Sequence, residues 1–465
     1  MNVAPIDLVV IVAFFVVAAY TAYLALNTKT FSQFSVANRS VPTAMIFASL
    51  AAAIVGPGFS IGFTAKGFAS GYAYYLLALT YPLQTIVTGV FLAPRLHRFK
   101  NCHTLGEVMR ERYGATAHAL TGMVSVGLCI GFAAVMAKVG GLLVASVTGW
   151  PTVLCMYIVT FVTASYTFRG GIRASIATDA MYFVVKTILI PAMLIVAYLK
   201  TPNLETVVAD AAHATAAGLR EMSPMTIAAV AVSFLLGEML IPPFANRALA
   251  AESSKASAKG FVMAGIYCIP WLAAVSALGV YARHFIAPST QPDEAFLVLA
   301  RVLLPAGVFG LILAALIAVV MSSQDSVINA GAVALTRDLA FSYTRQSARR
   351  SLIVGRFGTL VIAIIAATAA AFSPSIIDGL LVLYSVWAPS MLVPLIAALF
   401  LRHTAPAAGC LAIGTGFVLS LLWQSVLHSP MGIPAILVAL PASAVAFAIG
   451  TLIHDQVPTP AEVVS

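Results

Sequence analysis

Charge is what this sequence has least of. Asp, Glu, Lys and Arg make up 9% of its 465 residues, 61% are hydrophobic, and mean hydropathy is +0.99. A soluble domain cannot present so little charge to water, so the composition reads as a polytopic helical membrane protein. The five cysteines, Cys102, Cys129, Cys155, Cys268 and Cys410, are odd in number and scattered through apolar segments, which argues against a disulfide framework or a metal cluster. No nucleotide-binding glycine loop occurs, so ATP is not expected to drive any cycle. No nucleophile or His/Asp/Glu constellation lies at membrane depth, so the chain does not read as an enzyme. No basic stretch precedes the first apolar segment, which is therefore expected to be a retained helix and not a cleaved signal.

What is present is a series of long apolar runs. About thirteen spans are expected, at 7–26, 43–66, 72–93, 116–148, 152–168, 174–199, 225–249, 258–284, 302–335, 353–373, 376–401, 407–427 and 431–453. The formal charge of +9 is explained by location. Lys29, Arg39, Arg95, Arg98, Lys100, Arg110, Arg112, Arg169, Arg173, Lys255, Lys259, Arg345, Arg349 and Arg350 fall in or beside loops on one side of the bilayer. Lys66, Lys200, Arg220, Arg283 and Arg301 fall on the other. This bias predicts an inner-membrane protein with the N-terminus outside and the tail from Asp455 to Ser465 in the cytoplasm, with lipid as its partner and no nucleic acid.

The polar residues inside these runs carry the chemistry. Ser322, Asp325 and Ser326 stand at i, i+3 and i+4, so their oxygens share one turn of a helix. A carboxylate at that depth costs roughly 2.5–3.5 kcal/mol to insert, so Asp325 should face the bundle interior, a cavity or a counter-charge. Oxygen donors suit a hard cation, although serines in membrane helices also bond back to their own carbonyls. Gly56-Pro57-Gly58 interrupts the second span, where Pro removes a backbone donor and Gly relaxes the helix. Gly237-Glu238 followed by Pro242-Pro243 interrupts the seventh. Two broken helices five spans apart point to a binding site between inverted repeats, 43–199 and 225–401, with 7–26 as an extra N-terminal helix and 407–453 as two C-terminal helices of one transmembrane domain. Lys138 lies too deep in its span to snorkel and should face a carboxylate or a cavity. Asp179 and Lys186 stand two turns apart on nearly one helix face. Thr104 with Glu107 suits a capping box on a short loop helix. His97, Cys102 and His103 do not read as a metal site, because basic neighbours would repel the ion.

Several of these stretches resemble the sodium:solute symporter family. Thr104 to Gly114 is similar to its Thr-Leu-x-Glu-x4-Arg-Tyr-Gly loop, and Gly170-Gly171 with Thr178-Asp179 to its Gly-Gly…Thr-Asp motif. Asn246 to Ala251 is similar to its Gln-Arg-x-Leu-Ala-Ala segment, with Asn in place of Gln. Arg402 to Gly409 resembles its basic Gly-Ala turn, and Ser322-Ser323 its paired hydroxyls. The resemblance implies an all-α, LeuT-type fold of two inverted five-helix repeats, working as a symporter. It also implies a main sodium site of Ser322 and Ser323 with the carbonyls of Ala52, Val55 and Val319, and a second cation site of Asp179, Asp325 and Ser326. The solute would lie against the broken helices at Gly56, Gly58 and Phe59. Lys138 and Glu238 would offer both charge signs to a small carboxylate-bearing solute such as an amino acid or organic acid, unless they pair only with each other. Tyr74, Gln84, Tyr384 and Trp387 are further lining candidates.

Lys186 departs from the family pattern, because an apolar residue is usual there. Its amine could reach the depth of the main sodium site, and lysines shift pKa readily on burial, which suits a proton carrier. Na+ coupling is therefore the first expectation, with a proton-coupled or sodium-independent transporter as the alternative. A channel or receptor is more remote, because neither needs two symmetric broken helices.

Overall fold

The computed structural model describes residues 4–24, 28–340, 347–372 and 376–455; Arg345 and residues 456–465 lie outside them. Among the described residues the chain is helical, and its one β-bridge joins Val41 to Ala251. In order, the helices are α1 Pro5–Leu24, α2 Thr43–Ile54, α3 Pro57–Ser70, α4 Ala73–Leu96, α5 Leu105–Tyr113, α6 Ala115–Thr148, α7 Thr152–Lys200, α8 Leu204–Glu221, α9 Pro224–Leu236, α10 Pro242–Ala250, α11 Ser254–Phe285, α12 Ala295–Leu303, α13 Val308–Ala334, α14 Ala348–Ala370, α15 Ile376–Phe400, α16 Pro406–Leu421 and α17 Ala435–Asp455. Among the described residues nine helices are long and apolar enough to cross a membrane, and bent pairs raise the number to eleven.

Thirteen spans are not reproduced; α1 has a shorter apolar stretch, Pro5–Val17, and two expected spans fall within α7. α7 comprises two helices within its 49 residues, each long enough to cross the ~30 Å hydrocarbon core at ~1.5 Å per residue. Gly171, at φ 55° and ψ −148°, turns the chain inside it. The two halves, expected as 152–168 and 174–199, pass in opposite directions beside α13: Thr160 meets Gln324, Ser175 meets Ser326, and Lys200 reaches the carbonyl of Leu303. A Cβ at Gly171 would sit 2.5 Å from the Phe34 carbonyl, so the turn also needs glycine for close approach.

α13 is the centre of the bundle. Of its apolar window 94% is buried, against 22% for α17 on the lipid side, and it packs against α1, α6, α7 and α14. It starts later than expected, because residues 302–307 do not continue into it. Instead α12 ends at Leu303, and Gly307 (φ +87°) redirects the chain. The Asp7 carboxylate accepts from the amides of Gly307 and Gly310 at 2.6 and 2.8 Å, tying α1 to the N-terminus of α13, where a negative charge is favoured.

Both proline-marked interruptions are real breaks. α2 stops at Ile54, Val55 leaves helical geometry at ψ 44°, and Pro57 opens α3 from its first turn. Pro57 offers no N–H to the preceding turn, so the last carbonyls of α2 need other donors. α9 stops at Leu236, Leu240 takes φ +47°, and Pro242 opens α10. A positive φ at a leucine is strained, and the surrounding packing must hold it.

Candidate coupling and solute site

Three carbonyls at the end of α2 share one donor, Lys186. Its Nζ, on the second half of α7, donates to Ala51 O, Ala52 O and Val55 O at 3.0, 3.0 and 3.1 Å, and lies 5.4 Å from the Trp271 ring centre. The side chain is buried, and Val319 lines the same niche. An ammonium thus stands among the carbonyls of Ala52 and Val55 that the resemblance assigned to sodium, with Ala51 added. The two serines diverge. Ser322 Oγ donates to the Asp179 carboxylate, whereas Ser323 Oγ, beside Gly56, is buried without a hydrogen-bond partner.

The second predicted position holds a guanidinium. Arg247 on α10 is 1% exposed. Its Nη2 reaches Asp179 at 2.9 Å and Ser326 Oγ at 2.6 Å, its Nε reaches Ser49 Oγ at 2.7 Å, and its Nη1 reaches Pro243 O at 3.1 Å. Ser49 also donates to Asp179. Asp325, fully buried, accepts from Ser175 at 2.6 Å and Ser326 at 3.1 Å. Ser326 donates at 2.9 Å to Ser322 O one turn earlier, so back-bonding and ligand geometry coexist in this serine. Asp179, Asp325 and Ser326 therefore do come together, around a side chain that sequence reasoning had quoted only as part of a motif. Ser49, Ser175 and Ala51 were missed because nothing in their own segments marks them.

The solute candidates separate into two places. Gly56, Gly58 and Phe59 line a cavity of about 40 Å³ at the α2–α3 break, together with Ile54, Phe132, Met136, Ile241, Phe244, Ser323, Ser326 and Leu380. Glu238 and Lys138 do not line it. Glu238 accepts from the Tyr81 hydroxyl, and Tyr384 lies against it. Lys138 lies instead near Asp293, at the end of the bundle opposite the basic loops. They are not brought together as a pair, nor to one cavity. Asp293, outside the spans, has its carboxyl held above the ordinary range by burial, opposed by the positive charges of Lys138 and Lys66. Lys66 pairs with Asp378 at 3.2 Å and sits 4.4 Å over the Tyr74 ring. Tyr74 and Asp378 line a second, open cavity of about 330 Å³ with Ser233, Ser385 and Gln424. Gln84, Tyr384 and Trp387 are buried, and Trp387 Nε1 holds the Met239 carbonyl of the second break at 3.1 Å.

At the basic end, Asp338, in the wide turn that extends α13, accepts from Thr104 at 2.6 Å and His118 at 2.9 Å. Thr104 caps α5 through the Glu107 amide at 3.0 Å, but the Glu107 carboxylate accepts from the amide of His103, one residue before the expected partner. Among the described residues no group of three or more His, Cys, Asp or Glu could hold a metal.

Two broken helices beside a central helix, with charged groups buried among them, are the features expected of a membrane transporter. The comparison with known proteins names the group. The model of the sodium:solute symporter family matches residues 34–414, and the chain belongs to that family. It is 23% identical to the sodium/glucose cotransporter of Vibrio parahaemolyticus over 73% of this chain and 68% of that protein. It is 24% identical to the sodium/myo-inositol cotransporter of Mus musculus over 85% of this chain and 62% of that one. It is 24% identical to the sodium/proline symporter of Haemophilus influenzae over 66% and 65%. The chain thus spans roughly two thirds of these relatives' lengths. In structure it is similar to a Na+-coupled sialic acid symporter in a substrate-bound, outward-open state, with TM-score 0.81 at 18% identity over 97% of each chain. A nucleobase-cation-symport-1 family transporter gives TM-score 0.64 at 13% identity, covering 94% of this chain and 98% of that one. These likenesses establish the LeuT-type transporter fold.

Proposed function

We propose that this chain is a secondary active symporter that carries a small solute across the inner membrane by alternating access, and that a proton on Lys186 holds the coupling position that sodium is expected to hold in the family. The observation that carries this is the Lys186 ammonium among the carbonyls of Ala51, Ala52 and Val55. A hard cation contacts oxygen at roughly 2.3–2.6 Å, so a sodium ion on these carbonyls would collide with Nζ. Even ~3 Å away, two unit charges repel by about 5 kcal/mol at an effective dielectric of 20. The residues therefore do not fit sodium while Lys186 occupies the cage.

The amine can do what the ion would do. Protonated, it ties the second half of α7 to the end of α2 through three charge-assisted bonds. Losing the proton removes the charge that favours those bonds and frees the two helices to part, which is the separation that alternating access requires. The basic-loop bias supports a cytoplasmic placement of the loops that carry Arg95 to Lys100, with the N-terminus outside.

Purified protein in proteoliposomes should take up solute from a panel of labelled amines, amino acids, monocarboxylates and sugars under an inward proton gradient without sodium. Lys186→Leu should abolish that gradient dependence. Sodium coupling is the second reading. It is supported by family membership and by Ser323 Oγ, which is buried without a partner at the edge of the central cavity. Uptake that requires a sodium gradient and survives Lys186→Leu would establish it and refute the proton reading.

A further inference from the structure

Glu238 stands apart from the buried charges gathered between α2, α7, α10 and α13. Arg247 is satisfied by Asp179 and Lys186 by three carbonyls, but no lysine or arginine among the described residues forms an ion pair with Glu238. The residue is 5% exposed and accepts from one phenol, Tyr81. A second phenol, Tyr384, is fully buried and lies against the same carboxylate. The side chain sits in the gap between α9 and α10, where the backbone sustains the positive φ of Leu240 to keep the gap open.

The two phenols beside this carboxylate, Tyr81 and Tyr384, belong to a contiguous cluster of aromatic rings. Phe59 stands 4.8 Å from Tyr81 and 6.1 Å from Phe234; Phe234 stands 5.8 Å from Phe63, 6.4 Å from Tyr81 and 6.2 Å from Tyr384. The faces of such rings carry negative charge and attract cations, above all desolvated organic ammonium groups. Phe59 also stands in the wall of the small cavity at the α2–α3 break, about 40 Å³, and neither Lys nor Arg lines it. A carboxylate-bearing solute would find no counter-charge there, because Lys138 is engaged at the far end near Asp293.

We propose that the solute is an organic ammonium, a primary amine or a quaternary ammonium on a compact apolar body. Its head seats on Glu238 among Phe59, Phe63, Tyr81, Phe234 and Tyr384, and its body fills the adjoining cavity. Phe59 is the partition between the two and turns aside to admit the head. The inference rests on the transporter reading, but it is tested by equilibrium binding, which needs no gradient. A chain that binds ammonium yet transports nothing refutes that reading alone, and a chain that transports solutes yet binds no ammonium refutes this one alone.

The test uses purified full-length protein in detergent, titrated with 3-methylbutylamine, tetramethylammonium, 3-methylbutanol and 3-methylbutanoate. Tryptophan fluorescence and thermal stabilisation are the readouts. The amine and tetramethylammonium should bind at least about tenfold tighter than the alcohol or the carboxylate. Glu238→Gln should bring the amine to the level of the alcohol. Phe234→Leu removes one ring and leaves the carboxylate, and should weaken tetramethylammonium by roughly tenfold and the primary amine by less. Preference for 3-methylbutanoate, binding of none of the four, or a folded Glu238→Gln protein that binds the amine like wild type would overturn the proposal. If Glu238→Gln does not fold, an unchanged tetramethylammonium affinity in Phe234→Leu overturns it.

Discussion

The guanidinium at the second cation position makes a prediction that separates an ion pair from an ion site. Arg247 and Asp179 are 1% and 0% exposed, and Nη2 lies 2.9 Å from the carboxylate. Arg247→Met removes four hydrogen bonds to side-chain and backbone oxygens and leaves Asp179 with only the hydroxyls of Ser49 and Ser322. An uncompensated buried charge of this kind costs about 3–5 kcal/mol, and Asp179→Asn strands the guanidinium at a similar cost. The double variant removes both charges at once and should be less destabilised than either single one, with a coupling energy of about 2–3 kcal/mol. Denaturation of the four proteins, followed by tryptophan fluorescence, closes the cycle. If Asp179, Asp325 and Ser326 were instead waiting for a metal ion, the two losses would add, and sodium would raise the stability of the wild type. Either result would refute the assignment of this position to Arg247.

Other outcomes follow from the same geometry. Gly237→Ala places a Cβ 2.3 Å from both the Ser233 carbonyl and the Tyr384 side chain, so it should cost about 1–3 kcal/mol in thermal or denaturant unfolding and distort the second break. Asp338→Asn weakens the buried pairing with His118 at 2.9 Å; it should destabilise the basic end and expose α5 to proteolysis. Lys66→Gln breaks the pair with Asp378, whose side chains are 21% and 50% exposed. It should cost at most about 1 kcal/mol while speeding the labelling of cysteines introduced into the open cavity lined by Tyr74 and Asp378. His103, in the loop before α5, is held below its ordinary pKa by burial, with Arg337 and Arg39 acting in the same direction and Glu107 against it. Its stabilising contribution is therefore present above the unfolded value of about 6.5 and is lost as pH falls through that value toward the folded one. Unfolding temperature should drop between pH 7.5 and 5.5, and less so in His103→Gln.

The breaks and the intramembrane charges were legible in the sequence because each has a local cause. Gly56-Pro57-Gly58 and Pro242-Pro243 interrupt a helix whatever surrounds them, and Lys186 is conspicuous in an apolar run. Its partners were only partly legible. Two carbonyls, those of Ala52 and Val55, followed from the family resemblance, but Ala51 depends on how α7 crosses α2. Arg247 was noted only within the Asn246 to Ala251 motif, with no partner assigned to it. Its burial follows from α10 tucking between α2 and α13, which no local pattern encodes. Lys138 was expected at the centre because of its depth in one span. Residues 292–303 fold back over that end of the bundle and bring Asp293 to it. The rings around Glu238 come from α3, α4, α9 and α15, four segments whose juxtaposition only the fold supplies.

Charge balance ties the two cation positions together. Counted at formal charges, Asp179 and Asp325 oppose Arg247 and Lys186, so the cluster between α2, α7, α10 and α13 is neutral without any bound ion. A sodium ion added at either position leaves one positive charge uncompensated in a water-poor interior, whereas a proton leaving Lys186 leaves one negative. The cycle that disturbs this interior least moves the proton while the cavity is open to water, where the resulting charge is solvated, and restores it before the helices close. Lys186 can make that change without leaving its place, and a guanidinium, which keeps its proton in proteins, cannot. Arg247 is thus suited to be the fixed member of the pair and Lys186 the switching one. Lys186→Arg should consequently retain the fold and lose coupled transport: a permanently charged group would hold α7 to α2 through the step that requires them to part.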